Sequence, residues 1–253
     1  VVRTIEQQRK KTMAVSSVDG AVVVLRVKDR AILAMVGGIG VGVSTLNRAF
    51  QTKRQGGSTL KLCPYGAAIE RGATTSDICI DQPLSFSMPG NKVWEPKNYD
   101  EKYGWRLSAT DPDEDRIAET PLWHAFATSR NICAIVVTSS VGPENVNEFC
   151  RRGGIRSRQD DVLATGIGGA GGVTLLELTN VYATAAAGGL HAEPRVIERI
   201  VNRDGGTAYE DELYIRQVWS ATVAYQLLSM ELGVVQHPAG TGHRLAKYAK
   251  DGI

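Results

Sequence analysis

Arg54-Gln55-Gly56-Gly57-Ser58-Thr59-Leu60-Lys61 runs directly into Leu62-Cys63-Pro64-Tyr65-Gly66-Ala67-Ala68-Ile69-Glu70-Arg71-Gly72: a polar approach, a double glycine, then an apolar stretch. From Ser58 to about Arg71 the spacing of Leu60, Ala67, Ala68 and Ile69 predicts a helix, with Gly72 as its stop. Pro64 falls in the first two turns, where proline is tolerated better than in mid-helix. Ser58 and Lys61 then lie three residues apart on one helical face. A serine hydroxyl is a poor nucleophile until a base takes its proton. A lysine can be that base only where burial or positive neighbours lower its pKa by several units. A helix N-terminus also favours negative charge developing at the serine. The S-x-x-K spacing alone arises by chance about once in a chain of this size, so its weight comes from its context.

Upstream, Gly20 to Val27 is β-branched and apolar, Lys28-Asp29-Arg30 is a tight turn, and Ala31 to Val36 is a second apolar run. The pair predicts an antiparallel hairpin. Glycines 37, 38, 40 and 42 follow, but a phosphate-binding loop would need a Gly-Lys-Ser/Thr that is absent, so they are read as a flexible exit from the strand. Residues 1 to 19 are polar and basic, and are read as a linker or N-terminal helix. Residues 73 to 118 form a long polar connection containing Trp94-Glu95-Pro96-Lys97-Asn98. Its Asp111-Pro112-Asp113-Glu114-Asp115 lacks the glycine and closing acid of a calcium loop and is read as a solvated acidic turn.

Downstream, Thr120 as cap and Pro121 at the first helical position predict a helix carrying Leu122, Ala125 and Phe126 and leading to Ser129-Arg130-Asn131. Ser129-x-Asn131 offers a second hydroxyl to relay protons and an amide to hold a substrate. Ile132 to Val137 begins a further helix, and Pro143 to Arg152 another that closes at Gly153-Gly154. Glycines crowd residues 166 to 172, before Thr174-Leu175-Leu176-Glu177 with capping-box spacing and a helix to Ala187. A hairpin is expected around Asp204-Gly205. A long amphipathic helix, Val218 to Val235, precedes Gly240-Thr241-Gly242 and a basic tail ending at Ile253.

Composition narrows the class. Of 253 residues, 43% are hydrophobic and 22% charged, and 29 basic against 27 acidic residues leave a net +2. The basic residues are dispersed, which argues against nucleic acid or an anionic membrane as partner. The most apolar stretch, Ala31 to Val43, carries four glycines and is far short of the roughly 18 to 20 residues of a membrane span. Val1-Val2-Arg3-Thr4-Ile5-Glu6 has neither an apolar signal core nor an initiating methionine, as expected of a fragment of a longer protein. Cysteines 63, 79, 133 and 150 form no C-x-x-C pair and histidines 124, 191, 237 and 243 are scattered, which argues against a structural zinc site. Free, buried thiols are the expected state, with two disulfides open to the chain in an oxidising compartment.

The chain resembles the transpeptidase domain of bifunctional, class A penicillin-binding proteins. The resemblance runs through Ala31 to Gly38, Leu46-Asn47-Arg48-Ala49, Arg54 to Lys61 and Trp94 to Tyr99. It continues through Ser129-Arg130-Asn131-Ile132, Val141 to Val146, Thr174 to Gly189 and Gly240-Thr241-Gly242, in family order and over nearly the whole chain. S-x-x-K, a serine motif and K-T-G are signatures of these enzymes. The resemblance implies an α+β fold of the penicillin-binding protein transpeptidase and serine β-lactamase type, with an antiparallel sheet plus a helical subdomain. It places the transpeptidase-like domain at residues 20 to 253, ending before the K-T-G motif and lacking the C-terminal strands of the sheet.

It implies, further, a peptidoglycan D,D-transpeptidase, and a penicillin target, that works through an acyl-serine on D-Ala-D-Ala stem peptides. Ser58 would be the nucleophile, Lys61 its base, Ser129 a proton shuttle and Asn131 a substrate-binding amide. The backbone N–H of Ser58 would be one oxyanion donor. No cofactor and no metal are implied, and no nucleic acid. The partners would be peptidoglycan stem peptides and β-lactam antibiotics. In the full-length protein an upstream glycosyltransferase domain and membrane anchor are expected, at the outer face of the bacterial cytoplasmic membrane. A non-catalytic peptide- or β-lactam-binding module and a serine β-lactam hydrolase are the alternatives. Two departures stand out: Cys63 and Gly66 replace apolar bulk on the helix after Ser58, and the 166–172 glycines are atypical.

Overall fold

The computed structural model describes residues 19–39, 45–104 and 118–248. The expected N-terminal linker or helix, glycines 40 and 42, the Asp111–Asp115 turn and the end of the basic tail lie outside them. The hairpin forms as expected: β1 (Val22–Leu25) pairs antiparallel with β2 (Ile32–Val36), with a register shift between Val24 and Leu25. Arg30 closes the turn with φ +58°.

Among the described residues, six α-helices make up the rest of the frame: α1 (Leu62–Glu70), α2 (Leu122–Ala127), α3 (Asn131–Val141), α4 (Pro143–Gly153), α5 (Leu175–Ala186) and α6 (Ala221–Gln236). Helix α1 continues a 3-10 turn, Gly57–Lys61, so the element predicted from Ser58 is real and tightly wound at its start. Every residue of α1 from Leu62 to Ile69 is buried, and α3, α4 and α6 pack around it. A helix apolar on all sides is stable only at the centre of a core; each fully buried Leu or Ile there contributes roughly 1.5–3 kcal/mol. The β1–β2 ribbon sits against α5. Helix α5 starts at a complete capping box, in which Thr174 Oγ1 accepts from Glu177 N–H and the Glu177 carboxylate accepts from Thr174 N–H.

Two expectations change. Thr120 does not cap α2: Pro121 stands at the N-cap position, one place earlier in the helix than expected, and both residues lie in a strand, Glu119–Pro121, that pairs with Ile78–Ile80, placing Cys79 opposite Thr120. Backbone hydrogen bonds from Leu122 and Trp123 to Asp77 and Thr75 hold that junction, so ladder pairing wins over local cap propensity. The long connection 73–118 carries short strands that three-residue periodicity could not reveal: besides Ile78–Ile80, Phe86–Met88 pairs with Lys92–Trp94. The hairpin near Asp204-Gly205 is present, as Arg199–Val201 against Thr207–Glu210.

The two odd residues of α1 explain each other. Cys63 is disulfide-bonded to Cys150 of α4, with Cα atoms 5.4 Å apart and a sequence separation of 87, so the expectation of four free thiols holds only for Cys79 and Cys133. One turn on, a side chain at Gly66 would strike the Phe149 ring at 2.4 Å. Phe149 in turn stacks on Trp219, whose indole N–H donates to the Phe149 carbonyl at 3.2 Å. The bulk missing from α1 is thus supplied by α4, and a cross-link of this span stabilises the pair by about 2–4 kcal/mol.

Candidate active site

Ser58 lies in the first turn of the 3-10 segment and is exposed, whereas Lys61, one turn further, is 2% exposed. The Lys61 ammonium donates to the Ser129 carbonyl at 2.5 Å, to Ser129 Oγ at 3.0 Å and to Asn131 Oδ1 at 2.8 Å. Three predicted residues from segments about seventy positions apart therefore converge on one nitrogen. Ser58 lines the same cleft, of about 280 Å³, with Lys61, Phe126, Ser129, Tyr182 and Thr241. Among the described residues no hydrogen bond joins its hydroxyl to Lys61; catalytic hydrogen bonds that are loose in a resting site tighten on substrate.

Burial removes most of the water that would solvate the Lys61 ammonium, and the nearby Arg130 guanidinium adds repulsion; together they lower its pKa to about 7. At neutral pH a large share of Lys61 is the free amine. That form keeps two N–H donors for its three acceptors and has a lone pair with which to take a proton.

The Ser129 backbone is held in the left-handed region, φ +57°, where a non-glycine residue costs roughly 1–3 kcal/mol. What holds it is the next residue. Arg130 is 6% exposed and donates to Asp81 Oδ2 at 2.8 Å, to both Asp100 oxygens at 3.0 and 3.1 Å, and to the Lys102 carbonyl at 2.5 Å. Burial opposes the guanidinium charge, but Asp81 and Asp100 outweigh it and raise the Arg130 pKa. Asn98, from the Trp94–Asn98 stretch, accepts the N–H groups of Asn131 and Ile132 at 2.8 and 3.2 Å and donates to Asp81 Oδ1 at 2.8 Å. It thereby caps α3 from outside the helix.

The Asn131 carboxamide is not idle either. Its oxygen accepts from Lys61, and its nitrogen donates to the Lys97 carbonyl at 2.8 Å. Substrate can use only its remaining lone pair and N–H. Asp81, Asn98, Arg130 and Tyr182, which donates to the Thr59 carbonyl at 2.7 Å, were not singled out from the sequence. The one available signal was that Asn98 and Arg130 sit inside motif-like stretches.

The glycine-rich segment has a direct role at Ser58. Gly168, at φ +68°, lies so close to Gly57 that a Cβ there would meet the Gly57 backbone oxygen at 2.2 Å, and Gly57 N–H donates to the Gly168 carbonyl at 3.3 Å. Gly168→Ala is expected to push the Ser58 turn out of register and to cost about 1–3 kcal/mol. Thermal melting combined with labelling of Ser58 by a fluorescent penicillin checks this; wild-type behaviour in both would show that the close approach is not needed.

An exposed hydroxyl beside a buried amine of lowered pKa, with a second hydroxyl bonded to that amine, defines a serine–lysine site suited to acyl transfer. Residues 20–253 match the family model described as penicillin binding protein transpeptidase domain. The chain belongs to that family. Over 188 residues, 74% of this chain, it is 34% identical to penicillin-binding protein 1A of Neisseria meningitidis, of which it covers 22%. The crystal structure of penicillin-binding protein 1A from Haemophilus influenzae is 28% identical, with a TM-score of 0.79 over 92% of this chain and 38% of that one. The imipenem acyl-enzyme complex of penicillin-binding protein A from M. tuberculosis, at 20% identity and TM-score 0.73 over 100% of this chain and 64% of that one, shares the fold. The chain spans between about a fifth and a third of the length of the curated relatives it matches.

Proposed function

We propose that residues 20–253 form a peptidoglycan D,D-transpeptidase domain that is also a β-lactam target. Supporting this reading above all is the buried Lys61 amine, poised near neutrality, bonded to Ser129 and opening on Ser58. Ser58 Oγ attacks the carbonyl carbon of the D-Ala-D-Ala bond while Lys61 takes its proton. Ser129, bonded to Lys61, passes that proton to the leaving nitrogen, and D-alanine departs. An amine of a neighbouring strand then attacks the acyl carbon, the ester bond to Ser58 breaks, and Oγ recovers a proton by the same route. Asn131 offers its free lone pair and N–H to the stem peptide. Penicillins acylate Ser58 in the same way and stay attached.

In the whole protein, a glycosyltransferase domain and a membrane anchor precede this domain, and it works at the outer face of the cytoplasmic membrane. The Cys63–Cys150 disulfide supports an oxidising compartment. Among the described residues no helix is long and apolar enough to cross a membrane. Intact mass after incubation with excess benzylpenicillin, followed by peptide mapping, tests the reading. One adduct is expected, on Ser58 and absent in Ser58→Ala; a folded protein that gains no adduct, or gains it elsewhere, removes Ser58 as nucleophile.

A further inference from the structure

The cleft holds a carboxyl group that the acylation step does not use. Glu231, on α6, lines it together with Ser58, Lys61 and Tyr182. Its Oε1 is shut off from solvent and has no hydrogen-bond partner among the described residues, while the residue as a whole is half-buried. A buried carboxyl oxygen without a donor costs about 1–3 kcal/mol, more when charged, so its presence at a cleft wall calls for a partner that arrives with the ligand. The Lys61 and Tyr182 donors that line the cleft are engaged elsewhere. The Lys61 donors go to Ser129 and Asn131. The Tyr182 hydroxyl proton goes to the Thr59 carbonyl. Burial, followed by the adjacent Glu231 charge, pushes the Tyr182 phenol up, so it remains a donor to Thr59 and does not ionise.

We propose that Glu231 is the acceptor-side base of this cleft, binding the ammonium group of the incoming amine and taking one of its protons before that amine attacks acyl-Ser58. The inference rests on the acyl-serine reading above. An acceptor amine reaches the site largely as R–NH3+, which has no lone pair to attack with. Transfer of one proton to the Glu231 carboxylate leaves R–NH2 and a neutral carboxyl. The amine nitrogen bonds to the acyl carbon, the carbon–Oγ bond breaks, and a second amine proton returns to Ser58 Oγ through Lys61 and Ser129. The neutral Glu231 then releases its proton to solvent. Burial raises the Glu231 carboxyl to about 7, which suits a group that must both take and release a proton at neutral pH. A cation is favoured over water as the ligand because it supplies donors and opposite charge together.

The test follows the fate of the acyl-enzyme formed from a thioester of an acyl-D-alanine peptide, in the native protein, Glu231→Gln and Glu231→Leu. Glycinamide, methanol and water compete as acceptors. Both variants are expected to lower the amide-to-methyl-ester product ratio by about 10²-fold, the size of a lost general base. An unchanged ratio, or equal loss of both products as a displaced α6 would give, overturns the proposal. So does a larger fall in hydrolysis than in aminolysis, which would assign Glu231 to water. In the native protein, trimethylammonium should compete with glycinamide but not with methanol; no such selectivity would also overturn it. Failure of benzylpenicillin to acylate native Ser58 is a separate readout and would remove the acyl-serine reading itself, and this inference with it.

Discussion

Lys61→Arg is expected to slow acylation of Ser58 by about 10²–10⁴-fold, the usual worth of a general base. Arginine keeps the positive charge and can still donate toward Ser129 and Asn131, but it does not lose its proton in a protein. The loss would therefore report on proton acceptance and not on a hole in the cleft. In the native protein the rate should rise with pH and level off above about 7. The sign follows from which form is active: the free amine accepts the Ser58 proton, desolvation lowers the Lys61 pKa, and the active fraction grows as pH climbs through that value. An unperturbed lysine, near 10.4, would leave the rate still rising at pH 9. Stopped-flow acylation by benzylpenicillin between pH 5.5 and 9 separates the two, and a profile without a step near 7 would rule out Lys61 as the base in the geometry described here.

Arg130→Met is expected to cost about 3–5 kcal/mol, the toll of breaking a buried ion pair by removing one partner. Asp81 is 0% exposed and would lose its guanidinium partner, leaving the Asn98 amide and the Gly104 N–H as its donors among the described residues. For a domain of this size the change corresponds to a drop in Tm of about 10 °C. Adding Asp81→Asn to Arg130→Met removes the stranded charge and should recover part of the loss. A double variant that melts lower still would show that shape, not charge, is what Arg130 supplies. Because Ser129 and Asn131 flank Arg130, Lys61 would also lose its acceptors, and penicillin labelling should fall together with Tm.

Much of the local architecture is legible in the chain. The β1–β2 hairpin shows as a β-branched run and a second apolar run about a charged turn, α5 shows in its Thr174–Glu177 box, and the start of α1 shows in the double glycine before Ser58. Each is set by propensity, capping or hydrophobic period within about a dozen residues. Family resemblance then brought Ser58, Lys61, Ser129 and Asn131 under one mechanism. Short strands such as Ile78–Ile80 were missed because three residues carry no usable period. The Thr120 cap was misread because pairing across the 79–120 gap outweighs it.

The sequence by itself determined the hairpin and the main helices, the S-x-x-K and S-x-N spacings and the family. Tertiary structure alone decided what those residues are worth. The lowered Lys61 pKa comes from burial beneath Ser129 and Asn131, the strained Ser129 backbone is held through Arg130 by Asp81, forty-nine positions away, and Gly66 makes sense only with the Phe149 ring in its place. So too with Glu231: one carboxyl among many in the sequence, it is distinguished by a missing partner in a shared cleft. Dielectric, desolvation and close contact depend on what lies within a few ångströms in space, and separation along the chain does not encode that.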